Sequence, residues 1–406
     1  MIKERTIGGF SLFTLWFGAA VSLAEIMTGS LIAPLGLKNG ILAILLGHLI
    51  GTIILSVVGI IGFREKNPSL VSSRLSLGRY GSYIISIFNI IQLVGWTAIM
   101  LIQCTRSLQS VTGKLFGFDN FAVLVIFAGI LVAVWAFNTE RGINVVNDIA
   151  VILLLILSLV MLKAVFPSGG EIKLVTGSIS FGAALELSII MPLSWVPLIS
   201  DYTMSGRSAG GSFWGSFGGY FLGSSFMYII GLLSAVYAGT PDPIAVLSNL
   251  NLGFSVFLIV ILSTVTTTFL DVYSAVMSTL NLSAKLSRKT LILIFAALGT
   301  LLALYFPMEQ YVNFLYLIGS LFAPVFTVVI LDYYLYREDR SHERFNVWGL
   351  VAAAVGVIMY YVFTKQDLVV GSSVPAMAVT MALYITIRFI INNLVWGGEQ
   401  LARKNC

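Results

Sequence analysis

The chain has 406 residues, 58% of them hydrophobic and 10% charged, with a net charge of +5 and a mean hydropathy of +0.97. A soluble domain carries about 25% charged residues, so this composition excludes a soluble globular fold and leaves a polytopic membrane protein in the lipid bilayer. The basic excess is spread over short loops, which argues against a nucleic-acid partner, and Cys104 and Cys406 offer neither a disulfide framework nor metal-ligand spacing.

Apolar runs of bilayer length recur from end to end. The first follows MIKERTIGG, continues past the apolar stretch of a cleavable signal and lacks an A-x-A site, so it is expected to persist as a helix. Charges, Gly and Pro bound spans at 10–33, 41–62, 80–105, 120–137, 144–166 and 180–201. A second set lies at 212–238, 253–281, 289–306, 311–336, 347–363 and 374–396. Twelve spans place both termini on one side; with that side inside, 17 Lys and Arg are internal and 6 external, the bias of a cytoplasmic face. The expectation is an all-α protein of the cell (inner) membrane with cytoplasmic termini, functional as a monomer.

Four spans carry polarity that a bilayer resists. In the first, Glu25 follows Gly18, Ala19, Ala20 and Ser22. An isolated carboxylate at mid-membrane costs about 2.5–3.5 kcal/mol on insertion scales, so Glu25 is expected to face a cavity, a partner or a ligand. In the third, Asn89, Gln92, Trp96 and Gln103 share one helical face; interhelical hydrogen bonding explains the amides, while a Trp among them favours a ligand-facing surface. The sixth holds Glu186, Pro192, Trp195 and Pro197, and its two prolines predict an interrupted helix. In the eighth, Thr264, Thr267, Thr268, Asp271 and Ser274 share a face, with Ser263 and Thr266 beside it. Hydroxyls with unwound carbonyls suit a small hard cation; bonding back to the preceding turn explains the hydroxyls but not the carboxylate.

Weakened segments at corresponding places in two halves point to an inverted-repeat secondary transporter with its site near the midplane. With 1–166 as the first repeat, 167–340 as the second and 341–406 as two further helices and a cytoplasmic tail, the first span answers the sixth and the third answers the eighth.

The stretch FAPVFTVVILDYYLYR (322–337) resembles the tenth-helix signature of the nucleobase:cation symporter family (first type), whose members carry purines, pyrimidines, allantoin or hydantoins. SWVPLISDYT (194–203), Gly95-Trp96 and WFGAAVSLAEIMTGSLIAPLG (16–36) resemble its CytX-type hydroxymethylpyrimidine permease subgroup. The likeness spans essentially the whole chain. It implies a LeuT-like fold of five plus five inverted helices with two more at the C-terminus, and an aromatic ligand between Trp96 and Trp195. Met100 stands where a family amide is expected, leaving Gln92 or Gln103 as substitutes, and Asp271 stands where the eighth helix would carry an amide. Ser22 joins this substrate-binding set. A sodium ion would lie near Ala19, Ser22, Thr266 and Thr267; Val265 falls where a further hydroxyl is expected, so a proton carried by Glu25 or Asp271 is the alternative coupling ion. No other cofactor is implied. Asp201, Tyr202 and Thr203 read as the structural end of the sixth helix.

A 4-aminopyrimidine presents a donor beside an acceptor, a pair that a protonated carboxyl complements with two hydrogen bonds. Glu25, Glu186 or Asp271 is expected to read that edge while Trp96 stacks on the ring. The expected function is a symporter importing a small heteroaromatic substrate, hydroxymethylpyrimidine (a thiamin precursor) first, with a cytosine/purine or allantoin-type permease as the alternative. An enzyme is disfavoured because H-E-x-x-H, G-x-S-x-G and Gly-rich phosphate loops are absent and the only histidines are His48 and His342. A channel is disfavoured because the polar residues cluster at mid-depth instead of lining a path.

Overall fold

The computed structural model describes residues 6–138, 143–165, 173, 175–240, 254–283 and 285–404, and inside the helices it leaves out the side chains of 115, 138, 143–148, 150, 161, 162, 164, 165, 254–259, 263 and 394–404. The expected repeat boundary at 166/167, the N-terminal cations Lys3 and Arg5, Arg141 and the side chain of Ser263 lie outside what is described. In chain order the helices are α1 (Gly9–Ala20), α2 (Leu23–Leu31), α3 (Leu37–Glu65), the single turns α4 (Ser69–Ser72) and α5 (Arg74–Leu77), α6 (Arg79–Phe116), α7 (Phe121–Asn138) and α8 (Ile143–Val165). There follow α9 (Phe181–Ser194), α10 (Ile199–Thr203), α11 (Ala209–Ala238), α12 (Phe254–Leu282), α13 (Arg288–Tyr305), α14 (Tyr311–Leu331, ending in a π-turn over Asp332–Tyr336), α15 (Val347–Gln366) and α16 (Ser373–Lys404). Among the described residues the only extended pairing is an isolated bridge between Ile7 and Gly206.

Among the described residues eight helices are long and apolar enough to cross a bilayer, and the bent pair α1–α2 makes a ninth. Three shorter apolar helices, Phe121–Phe137, Val151–Val160 and Phe181–Ser194, fall on the remaining expected spans. Leu45, Leu49 and Ile53 on α3, and Ile87 and Ile91 on α6, are exposed at helical spacing, an outward apolar stripe that lipid covers.

The first span, read as one helix, is two. α1 ends at Ala20, Val21 turns out of the helix with its N–H on the Gly18 carbonyl, Ser22 is extended, and α2 leaves at 61°. No proline causes this. Ser22 is the N-cap of α2, its hydroxyl accepting from the Glu25 N–H (3.3 Å). The sixth span breaks as its prolines predict: α9 ends two residues after Pro192, residues 195–198 form tight turns, and α10 resumes. The third span was expected to end at 105 but runs to Phe116. A lone cation such as the exposed Arg106 does not stop a helix; Gly117, in the left-handed region (φ 66°), does.

The broken first span rides on α11. Gly211, Gly215, Gly219 and Gly223 lie four residues apart, and a Cβ at Gly215 or Gly219 would stand 2.3 Å from the carbonyl oxygens of Gly9 or Phe13. Small residues at this spacing let membrane helices meet backbone to backbone. The contact continues into α2, where a Cβ on Gly231 would lie 2.0 Å from the Ile26 carbonyl oxygen.

Candidate substrate and cation site

Between the two breaks lies a cavity of about 30 Å³, room for about two waters. Its wall comes from both broken spans and from α6 and α12, and includes Glu25, Trp96, Trp195, Thr267 and Asp271. The four spans picked out by polarity thus converge on one place.

Both carboxylates there are buried. Glu25 Oε1 accepts from the Tyr220 hydroxyl (2.9 Å), and Oε2 lies 2.6 Å from Ser224 Oγ. As the third residue of α2 its charge also favours the helix N-terminus. Asp271 is taken up by no hydrogen bond to a described residue and faces the cavity. Trp96 stands edge-on to Phe314 (5.4 Å between ring centroids) and Tyr311 (6.3 Å). Trp195 packs edge-on against Trp16 (5.8 Å) and Tyr220 (6.5 Å).

The other expected residues are placed differently. Gln92 stands behind the wall, its amide donating to the Ser194 carbonyl (2.8 Å) and to Asn89 Oδ1 (2.7 Å). It therefore satisfies a carbonyl freed by the break in the sixth span, the requirement set by backbone at membrane depth. Gln103 donates to Met27 Sδ (3.4 Å), away from the cavity lining. Glu186 does not join the group. Its carboxylate accepts from the Tyr360 hydroxyl (2.8 Å), the Ser372 and Ser373 amides (2.8 Å each) and the Ser373 hydroxyl (2.6 Å). It caps the N-terminus of α16, where a carboxylate is favoured, and pins α15 and α16 to α9. Asp201 accepts from the Ser69 N–H (3.0 Å), tying α10 to α4 as a structural helix end.

For the cation, the first break leaves the carbonyls of Ala19, Ala20 and Val21 without a backbone N–H partner among the described residues. Ala19, Ser22 and Thr267 line the cavity. The Ser22 hydroxyl accepts the α2 cap bond and keeps a second lone pair, while Thr266 bonds back to the Leu262 carbonyl (2.9 Å) outside the lining.

Ala19, Trp195 and Thr267 are shared walls: on their other side opens a vestibule of about 1050 Å³ between α1, α7, α8, α12 and α13. Arg288 and Lys289 stand at its rim, Arg288 donating to the Tyr273 hydroxyl (2.9 Å). The opposite side is shut. Phe314 lies where a Cβ on Gly95 would meet its ring at 2.4 Å, and the Thr28 and Tyr311 hydroxyls bond at 2.6 Å.

Sequence reasoning did not link Tyr220, Ser224 or His48 to Glu25, since no charge pattern joins them. A signal for the first break did exist: Ser22-x-x-Glu25 is a capping-box pattern, here with the Glu25 side chain diverted to α11.

A sequence profile described as permease for cytosine/purines, uracil, thiamine, allantoin matches residues 2–387. The cytosine permease of Escherichia coli (strain K12) is 27% identical over 372 residues, 86% of this chain and 85% of that protein. The putative purine-cytosine permease YxlA of Bacillus subtilis (strain 168) is 23% identical over 376 residues, 86% of this chain and 80% of that protein. Among solved structures, Mhp1 in an inward-facing conformation has a TM-score of 0.82 at 20% identity, covering 96% of this chain and 92% of that one. Mhp1, a nucleobase-cation-symport-1 family transporter, in a closed conformation with bromovinylhydantoin bound, has a TM-score of 0.80 at 21% identity, covering 97% and 94%. The fold is the all-α, LeuT-like bundle that the tenth-helix motif implied.

Proposed function

The chain belongs to the family of permeases for cytosine/purines, uracil, thiamine and allantoin, and on that premise we propose that it is a cation-coupled importer of a 4-aminopyrimidine, cytosine ahead of hydroxymethylpyrimidine. The observation that carries this reading is the meeting of Glu25, Asp271, Trp96 and Trp195 around one cavity at two helix breaks. A carboxyl group that donates and accepts matches the amino group and ring nitrogen of a 4-aminopyrimidine. Uracil presents the same pair in reversed order, a carbonyl acceptor beside a ring N–H donor, so a carboxyl discriminates against it where its neighbours fix which oxygen carries the hydrogen. Cytosine ranks first because relatives along most of the chain are cytosine permeases; hydroxymethylpyrimidine keeps support from the likeness of 16–36 and 194–203.

The vestibule is read as the cytoplasmic release path, since Arg288 and Lys289 stand at its rim and the cation bias puts that face inside. A sodium ion is assigned to the carbonyls freed at the first break together with Thr267. Uptake of labelled cytosine, hydroxymethylpyrimidine, uracil and allantoin into proteoliposomes tests this, under a sodium gradient and separately a pH gradient. Cytosine is expected to accumulate against its gradient and to leak out on adding an ionophore. Accumulation of uracil or allantoin with cytosine excluded ends the reading.

A further inference from the structure

We propose that Glu25, Ser224 and His48 form a proton relay that holds one mobile proton beside the substrate cavity. Its use in coupling rests on the transport reading; its existence rests on hydrogen-bond bookkeeping. The His48 Nδ1 lies 2.9 Å from the Ile44 carbonyl oxygen, which only accepts, so Nδ1 carries a hydrogen. Nε2 lies 2.5 Å from Ser224 Oγ, which in turn lies 2.6 Å from Glu25 Oε2. Ser224 has one hydrogen and two neighbours that each require one.

Two arrangements satisfy all three groups. In the first, Glu25 is protonated and donates to Ser224, which donates to a neutral His48. In the second, His48 is an imidazolium donating to Ser224, which donates to a Glu25 carboxylate. They interconvert when the Glu25 O–H bond breaks toward Ser224 and the hydrogen of Ser224 moves to Nε2. Charge moves from a neutral pair to an ion pair, and Ser224 ends as it began. Remove the proton, and one of the two short contacts sets lone pair against lone pair in a buried place, where an unmade hydrogen bond is expensive.

The surroundings leave the relay to itself. On α11 the Tyr220 hydroxyl donates to Glu25 Oε1, and Tyr228 stands edge-on to the His48 ring (4.6 Å) while its hydroxyl donates to the Leu187 carbonyl. On α14 Tyr311 bonds Thr28, on α12 Asp271 shares the cavity wall with Glu25, and on α9 Glu186 is taken up by Tyr360, Ser372 and Ser373. The described cavity lining contains no Lys or Arg. A second observation supplies a path. Thr52 and Ser56 continue the row of His48 along α3, and Ser216 and Ser212 continue that of Ser224 and Tyr220 along α11. All four are buried with hydroxyl oxygens lacking a partner among the described residues. The helices pack antiparallel, Gly40 of α3 lying against Leu232 of α11 where His48 meets Ser224, so both rows lead from the relay toward the end of the bundle that bears Glu65 and Ala209, apart from the vestibule.

Infrared titration of the full-length protein in lipid nanodiscs, without substrate, tests the relay. The protonated-carboxyl band of Glu25 is identified by its loss in E25Q, and the imidazolium of His48 by nitrogen NMR. At neutral pH the wild type is expected to show one of the two signals. In H48Q an amide N–H donates to Ser224 in place of the proton, so the Glu25 midpoint falls by at least about one pH unit, about tenfold in proton affinity. S224A, which cuts the bridge, shifts it as well. Absence of both signals in the wild type, or H48Q and S224A midpoints coinciding with the wild type, overturns the relay. If one variant misfolds, the other and the wild-type spectra still decide. Because no substrate is added, the outcome is independent of whether cytosine is carried.

Discussion

Glu25 and Glu186 look alike in the sequence: each is a lone carboxylate in an apolar run with small or proline residues nearby. Their partners separate them. Glu25 is held by two hydroxyls at a cavity wall, and Glu186 by four donors at the start of α16. Polarity told which residues need a reason to be buried; it is blind to which reason, because the amides that cap α16 come from a segment 186 residues away. Replacing Glu186 by Gln is therefore expected to cost about 1–3 kcal/mol of stability, the cost of unpaired buried donors, and to leave cytosine affinity unchanged; thermal melts and binding isotherms measure both. Asp271→Asn is expected to do the reverse, weakening cytosine binding about tenfold or more with little change in melting. That Trp96 and Asp271 line the cavity follows from helical periodicity, since both stand on unbroken helices whose 3.6-residue period fixes their faces.

At the scale of elements, the two breaks have different physics. Pro192 removes a donor from α9, and Gln92 of α6 satisfies the Ser194 carbonyl beyond it. The break between α1 and α2 comes from capping and packing, so the proline count gave no hint of it. Gln92→Leu leaves the Ser194 carbonyl buried and unsatisfied and is expected to destabilise the protein by about 1–3 kcal/mol; a denaturation series reads this directly. The glycine row on α11 makes a harsher test. Gly219→Val places a side chain where the Phe13 carbonyl already stands, so α1 is forced off α11. Loss of folded protein is expected, and Gly210→Ala, whose Cβ meets nothing within 4 Å, is the tolerated control.

Among the described residues the bundle opens on one side through the vestibule and is closed on the other by Phe314 and the Thr28–Tyr311 pair. In a chain with Cys104 and Cys406 replaced by Ser, a cysteine at Thr14, exposed in the vestibule, is expected to react with a membrane-impermeant thiol reagent from the cytoplasmic face only. One placed at Phe314, packed on Trp96, should stay protected until substrate cycling begins. Equal labelling of Thr14→Cys from both faces would contradict the assigned orientation. The apolar, bilayer-length helices could be anticipated because hydropathy is a sum over many residues. The closed state of one end depends instead on a few ring contacts and one hydroxyl pair.

The pocket between the breaks holds about 30 Å³ while the chamber behind it holds about 1050 Å³, and among the described residues Ala19, Trp195 and Thr267 line both. On the proposed reading, a flat ring is seated only by pushing this shared wall aside. A base bearing a long tail at its far edge would dock its head and leave the tail in the doorway, so the same three residues that let cargo through would hold such a compound as a plug.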